Sequence, residues 1–268
     1  MRLTVDHVTR YQYDSPVRSL VQSHRLQPSV FAGQKVISWE VTVTGGTRGS
    51  TFRDGSGDAV QGWTVAGPVS EVTVRVQGTV DTTDLTGVLR GHKETVAPDC
   101  YMQATTPTRA DTALGALARR AEGADPLALA HALSGMVADA IAYRPGVTHA
   151  HTTAAEALAL GEGVCQDHAH ALIAVARVRG LPGRYVSGYL FSDADGQTHE
   201  AAHAWAELHL PGLGWVGFDP ANRCCPDDRY IRLASGFDAQ DAAPIRGIAR
   251  GGGKEEMDVT VAILQASQ

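Results

Sequence analysis

Through its first eighty residues the chain alternates apolar and polar positions with a period of two. Leu3, Val5, His7, Thr9, Tyr11 and Tyr13 fall on one face of such a pattern. Ile37, Trp39, Val41 and Val43 repeat it, and so do Val72, Val74 and Val76. Glycine-bearing turns at Gly45-Gly46 and between Asp54 and Gly57 separate these runs. The pattern predicts a β-rich region over residues 1–82, an antiparallel sheet or small sandwich with no chemistry of its own. Residues 83–110 carry turn signals and no period, and read as a linker crossing the surface.

The period then changes to that of a helix. Asp111 is placed to cap a helix over residues 112–122, and Asp125-Pro126 supplies an N-cap followed by proline at the first helical position. Leu129, Leu133, Met136, Val137, Ala140 and Ile141 form an apolar stripe, with Arg144-Pro145-Gly146 expected to end it. Thr153 and Glu156 match a capping box for a short helix that stops at Gly161. The next helix opens at Cys165, its stripe being Cys165, Ala169, Leu172, Ile173 and Ala176, and it closes at Gly180 and Pro182. Strands are expected at 184–191, 203–210 and 215–219. Residues 226–253 read as loop-rich, and a last strand over 255–264 is free to pair with either sheet. The fold class is therefore α+β: an N-terminal β region (1–82), a linker (83–110) and a second domain (111–268) whose central helix packs on an antiparallel sheet.

Composition changes little in this picture. Apolar residues make up 43% and charged residues 19%, an ordinary globular balance. The net charge of −6, with no basic stripe, argues against nucleic acid as a partner. The alternating N-terminus lacks the apolar core of a signal peptide, and no apolar run approaches a membrane span, so a cytoplasmic chain with no membrane partner is expected. Cysteines stand at 100, 165, 224 and 225 without zinc spacing, and Cys100, Cys224 and Cys225 read as incidental thiols. His149 and His151 have a spacing that suits a metal on a strand, but they fall in a loop with no third ligand; neither metal nor cofactor is implied.

Cys165 is the residue that matters for chemistry. A cysteine at a helix start meets the positive end of the helix dipole, which favours the nucleophilic thiolate. Such a nucleophile needs a base and an acid to orient that base. His203 begins one strand and Asp219 ends the next. Side chains opposed across an antiparallel pair share a face, so Asp219 reaches His203 only if Trp215 pairs with His209, leaving residues 210–214 as a loop. Pairing Leu210 with Trp215 would put acid and base on opposite faces unless a bulge intervened.

Four segments at this point resemble a known family: Gly163-Val164-Cys165-Gln166-Asp167, Tyr185 to Leu190, His203-Ala204-Trp205-Ala206-Glu207, and Gly214 to Pro220. They look like the bacterial transglutaminase-like proteins, within the papain-like cysteine enzyme group. Tyr143 to Gly146, Ala155 to Leu158 and the β-rich start resemble that family too. The resemblance implies Cys165 as nucleophile, His203 as base and Asp219 as orienting acid. It also implies a thioester formed from a peptide or protein amide and passed to water or to an amine. Ala221-Asn222 stands where the family often has Thr-Asn, which removes a hydroxyl near the acid. Hydrolysis by a cysteine protease or amidase is the reading preferred. Glutamine-to-amine transfer and a catalytically silent peptide-binding module remain as alternatives.

The remaining assignments concern the surroundings of the cysteine. Its own backbone N–H is the first candidate for an oxyanion donor. Gln166 is the second, though it points about a hundred degrees away around the helix. Asp167 is a candidate for the layer behind the site, while Asp167, His168 and His170 are expected in solvated or capping roles. Trp205 and Trp215 are candidates to wall the substrate cleft, the alternative being packing between helix and sheet. The sequence assigns no oligomeric state.

Overall fold

A computed structural model describes residues 1–191 and 202–265. In chain order the elements are β1 (Arg2–His24), β2 (Gln34–Val43), β3 (Gly46–Arg53), β4 (Ala59–Thr82), α1 (Thr112–Arg120), α2 (Pro126–Ala140), β5 (Ala142–Tyr143), α3 (Ala154–Leu160), β6 (Glu162–Gly163) and α4 (Cys165–Val178). Then follow β7 (Gly183–Leu190), β8 (Ala202–Leu210), β9 (Gly214–Phe218), β10 (Tyr230–Gly236), β11 (Ile245–Arg250) and β12 (Glu255–Gln265).

β1 and β4 pair along nearly their whole length, with register shifts between Gln12 and Val17 and between Val17 and Ser19. On one side of that irregularity they are flanked by β12 and β2, on the other by β11 and β3. The sheet thus has two halves, and Leu3, Val5, Val76 and Val80 of one share a core with Leu20, Trp63 and Val65 of the other. The alternation of β1 is obeyed from Leu3 to Tyr13, every second residue being buried. Ile37 departs from it: a register shift between Val36 and Ser38 turns it outward, 48% exposed.

The second sheet has the order β10-β7-β8-β9. α4 packs on one face, where Tyr185, Ala204, Ala206, Leu208 and Phe218 meet Ala169, Leu172 and Ile173 in one cluster. At the β10 side of this sheet, Tyr189, Ile231 and Leu233 enter the core of the first sheet. The molecule is therefore α+β, with helices packed on the second sheet and the bent sheet against its β10 side. Being covered on both faces is why β10 lies hidden inside a stretch that reads as loop: all its residues are buried, so no alternation marks it.

Three further expectations are corrected. Residues 83–110 do not simply cross the surface. Val88 bridges Val216, Leu89 donates to the Trp215 carbonyl and Gly217 donates to Gly87, so the segment covers the free edge of β9. α2 stops at Ala140 instead of running to Arg144, because Ala142 and Tyr143 leave it to pair with Glu162 and Gly163. α4 has no solvent face from Asp167 to Arg177, since α1, α2 and α3 surround the side turned away from the sheet. The last strand, which could have joined either sheet, pairs with β1 from Leu3 to Tyr13.

Between the two sheets lies a buried ionic cluster that periodicity does not reveal. Glu207 accepts from Arg184 Nε at 2.7 Å and from Arg232 Nε at 2.8 Å. Arg232 Nη1 continues to Asp58 at 2.8 Å, and Asp58 also accepts from the backbone and hydroxyl of Ser235. Burial alone would favour the neutral acid, but Arg232 and Arg184 hold Glu207 down to about 2. Among the described residues no helix is long and apolar enough to cross a membrane.

Candidate active site

Cys165 is the first residue of α4 and is half-exposed. The approach to it is built by short-range devices. The Thr153–Glu156 capping box starts α3, and Gly161 ends it in the left-handed region at φ 71°. Glu162 and Gly163 then pair with Ala142 and Tyr143, and the chain enters α4 two residues later. Asp167 fixes that entry: its Oδ2 accepts from the Val164 N–H at 2.8 Å and from the Thr148 hydroxyl at 2.7 Å. His168 links the Val164 carbonyl at 2.9 Å to the Ile141 carbonyl at 2.8 Å, tying the start of α4 to the end of α2.

None of the three polar residues after Gln166 is solvated. Asp167, His168 and His170 are all at most 1% exposed. Capping describes Asp167. His170 accepts the Ala239 N–H at Nε2, 3.0 Å away, and its burial lowers it to about 4.

His203 and Asp219 meet in the hairpin. Trp215 pairs with His209 and Ala206 with Phe218, so Asp219 comes level with Trp205 on the same side as His203. Leu210 also pairs with Gly214, which shortens the loop to residues 211–213 without changing the parity. The ladder stops at Phe218, where Asp219 turns away to bridge Cys224, so β9 leaves β8 uncovered at His203. The helix does not lie over the face that carries His203: it packs on the alternate residues Ala204, Ala206 and Leu208, and its first residue meets His203 at the end of the sheet.

The distances are those of a tight pair. His203 Nε2 lies 2.6 Å from Asp219 Oδ2. The same oxygen accepts from Tyr230 Oη and from Asn222 Nδ2, each at 2.8 Å, and Oδ1 accepts from the Asn222 N–H at 3.2 Å. Burial works against charge on both groups. For His203 it is outweighed by the hydrogen bond to Asp219 and by the Cys165 thiol, which together raise it to about 10. For Asp219 the donors hold the carboxyl below its usual range.

Cys165, His203 and Asp219 are thus brought together, though they lie far apart in the chain. Gln166 gives its amide to the Ala150 carbonyl at 3.2 Å, an anchor for the loop ahead of α3. Trp205 is 2% exposed and packs edge-on against Tyr230. Trp215 is 5% exposed, with its indole N–H on Glu94 and its ring under the Arg184 guanidinium. Sequence reasoning did not find Tyr230, and no spacing signal could have done so, because its place depends on β10 lying beside β7. Among the described residues no group of three or more His, Cys, Asp or Glu is arranged to hold a metal.

Comparison with known proteins gives a family and a fold likeness. Residues 115–220 match the Transglutaminase-like superfamily, and residues 3–81 match the Bacterial transglutaminase-like N-terminal region. An uncharacterized protein of Mycobacterium leprae is 33% identical, the match covering 98% of each chain. A segment covering 24% of this chain is 34% identical to 11% of a protein-glutamine gamma-glutamyltransferase of Pseudomonas aeruginosa. In fold, the chain resembles a Cytophaga hutchinsonii protein described as a candidate cysteine protease. That likeness has a TM-score of 0.74 and 22% identity, and covers 100% of this chain and 92% of that one.

Proposed function

Because the chain belongs to the transglutaminase-like superfamily, we propose that it is a thiol acyl-transfer enzyme that cleaves an amide or peptide bond through a thioester on Cys165. The observation that carries this reading is the 2.6 Å contact of His203 Nε2 with Asp219 beside a cysteine at a helix start. Sγ attacks the amide carbonyl, and the thiol proton resides on His203. The Cys165 backbone N–H, at the start of α4, is the donor to the oxyanion that forms. The C–N bond then breaks, His203 gives its proton to the leaving amine, and the acyl group remains on sulfur. Water attacks the thioester, His203 takes its proton, and the acid and free thiol are released. Asp219 orients the imidazole and stabilises its charged form.

Hydrolysis is the preferred outcome because Cys165 is half-exposed, which gives water access to the thioester. The test uses a peptide chloroacetamide, with peptide mapping of the labelled cysteine. Cys165 is expected to be alkylated at least tenfold faster than the exposed Cys100, and His203→Ala is expected to abolish that preference. Equal labelling of Cys165 and Cys100 would instead support the silent binding module. With a cleavable amide, adding a primary amine separates the two fates: a mass-detected amine conjugate as the main product would replace hydrolysis by transfer.

A further inference from the structure

The bent sheet is apolar inside along β1 and β4, but its inner face turns polar at β3. There Arg48 pairs opposite Trp63, Thr51 opposite Gln61 and Arg53 opposite Ala59, so three polar side chains point the way the buried Trp63 and Gln61 do. Across from them Trp39 and Val41 of β2 complete a groove of about 780 Å³. Its lining combines Val30, Val36, Trp39 and Val41 with Arg48 and Arg53 of β3.

Two observations mark this groove as built to receive something. Among the described residues neither Arg48 nor Arg53 makes an ion pair, in a chain whose net charge is −6. Arg53 gives one N–H to the Gly57 carbonyl at 2.7 Å, and Gln61 lies between Thr51 and Arg48, so both arginines are partly pre-oriented yet exposed.

We propose that this groove binds an extended acidic polypeptide. Carboxylate side chains match the fork geometry of the two arginines. Apolar parts of the same segment lie on the partly exposed ring of Trp39. Glu40 is the one acidic residue lining the groove, which leaves its charge positive and complementary to that partner. The proposal stands apart from the chemistry at Cys165 and concerns what the N-terminal β region holds.

The test titrates the full chain with a fluorescein-labelled octapeptide of alternating glutamate and valine, read by anisotropy at 50 mM salt, beside the same peptide with lysine in place of glutamate. Saturable binding of the glutamate peptide is expected, at least tenfold tighter than that of the lysine peptide. Arg48→Gln together with Arg53→Gln is expected to weaken it at least tenfold; both residues are exposed, so the fold is retained. Cys165→Ala is expected to bind like the wild type, which separates this result from the fate of the acyl-transfer reading. Equal binding of the two peptides, or unchanged binding by the double variant, would overturn the proposal. So would no saturation, in which case the arginines serve only as inward charges guarding an edge strand.

Discussion

One carboxylate oxygen positions the candidate base. Asp219 Oδ2 accepts from His203, Tyr230 and Asn222 together, which fixes the carboxylate from three directions while spreading its charge. Because His203 is raised to about 10, its pairing stabilises the fold fully below the unfolded value of about 6.5. That stabilisation is lost as pH rises through about 10. Urea unfolding at pH 7, 8.5 and 10 is expected to show a decline of a few kcal/mol, and Asp219→Asn is expected to flatten it; an identical slope in the variant would place its origin elsewhere. Tyr230→Phe keeps the ring against Trp205 and removes one bond to a charged acceptor, at a cost of about 2 kcal/mol. At this scale His203 and Asp219 were legible because each sits in a recognisable run, whereas the Asp219–Tyr230 bond depends on the path of the intervening loop.

Two glycines show how the elements hold the site, for different reasons. At Gly161 the backbone is left-handed, and an added Cβ would have room, its nearest neighbour being the Ala140 carbonyl at 3.9 Å. Gly161→Ala is therefore expected to cost about 1 kcal/mol, all of it backbone strain, with Asn recovering part. Gly188 lies directly opposite His203, and a Cβ there would stand 2.2 Å from the Ile231 carbonyl oxygen and 2.6 Å from the Trp205 ring. Gly188→Ala must separate β7 from β10 or displace Trp205, at about 2–3 kcal/mol. Alkylation of Cys165 separates the two cases: it is expected to slow in Gly188→Ala even under conditions where the variant is fully folded. Helix starts at Asp111, Asp125 and Thr153 were readable because capping is local. The end of α2 and the existence of β10 and β11 were not, because partners distant in the chain decide them.

Across the whole molecule, the ionic cluster joins the two sheets. Arg232 bonds Glu207 within the second sheet and Asp58 of the β3–β4 turn, and all three are at most 3% exposed. Arg232→Met leaves two buried carboxylates short of a partner and is expected to lower stability by about 3–5 kcal/mol in urea unfolding. Arg232→Lys keeps the charge but not the fork and should recover only part of it. Periodicity and capping, which act within a few residues, determined the α+β class, most of the N-terminal strands and the start of each helix. The motifs around Cys165, His203 and Asp219 determined which side chains to watch. Tertiary structure alone decided that β12 returns to β1, that residues 83–110 close the edge of β9, and that Asp167, His168 and His170 lie under three helices. It also set the end of the second sheet at which Cys165 meets His203. These outcomes depend on which surfaces bury one another, and a pairing between residues two hundred positions apart leaves no mark on the local pattern of either.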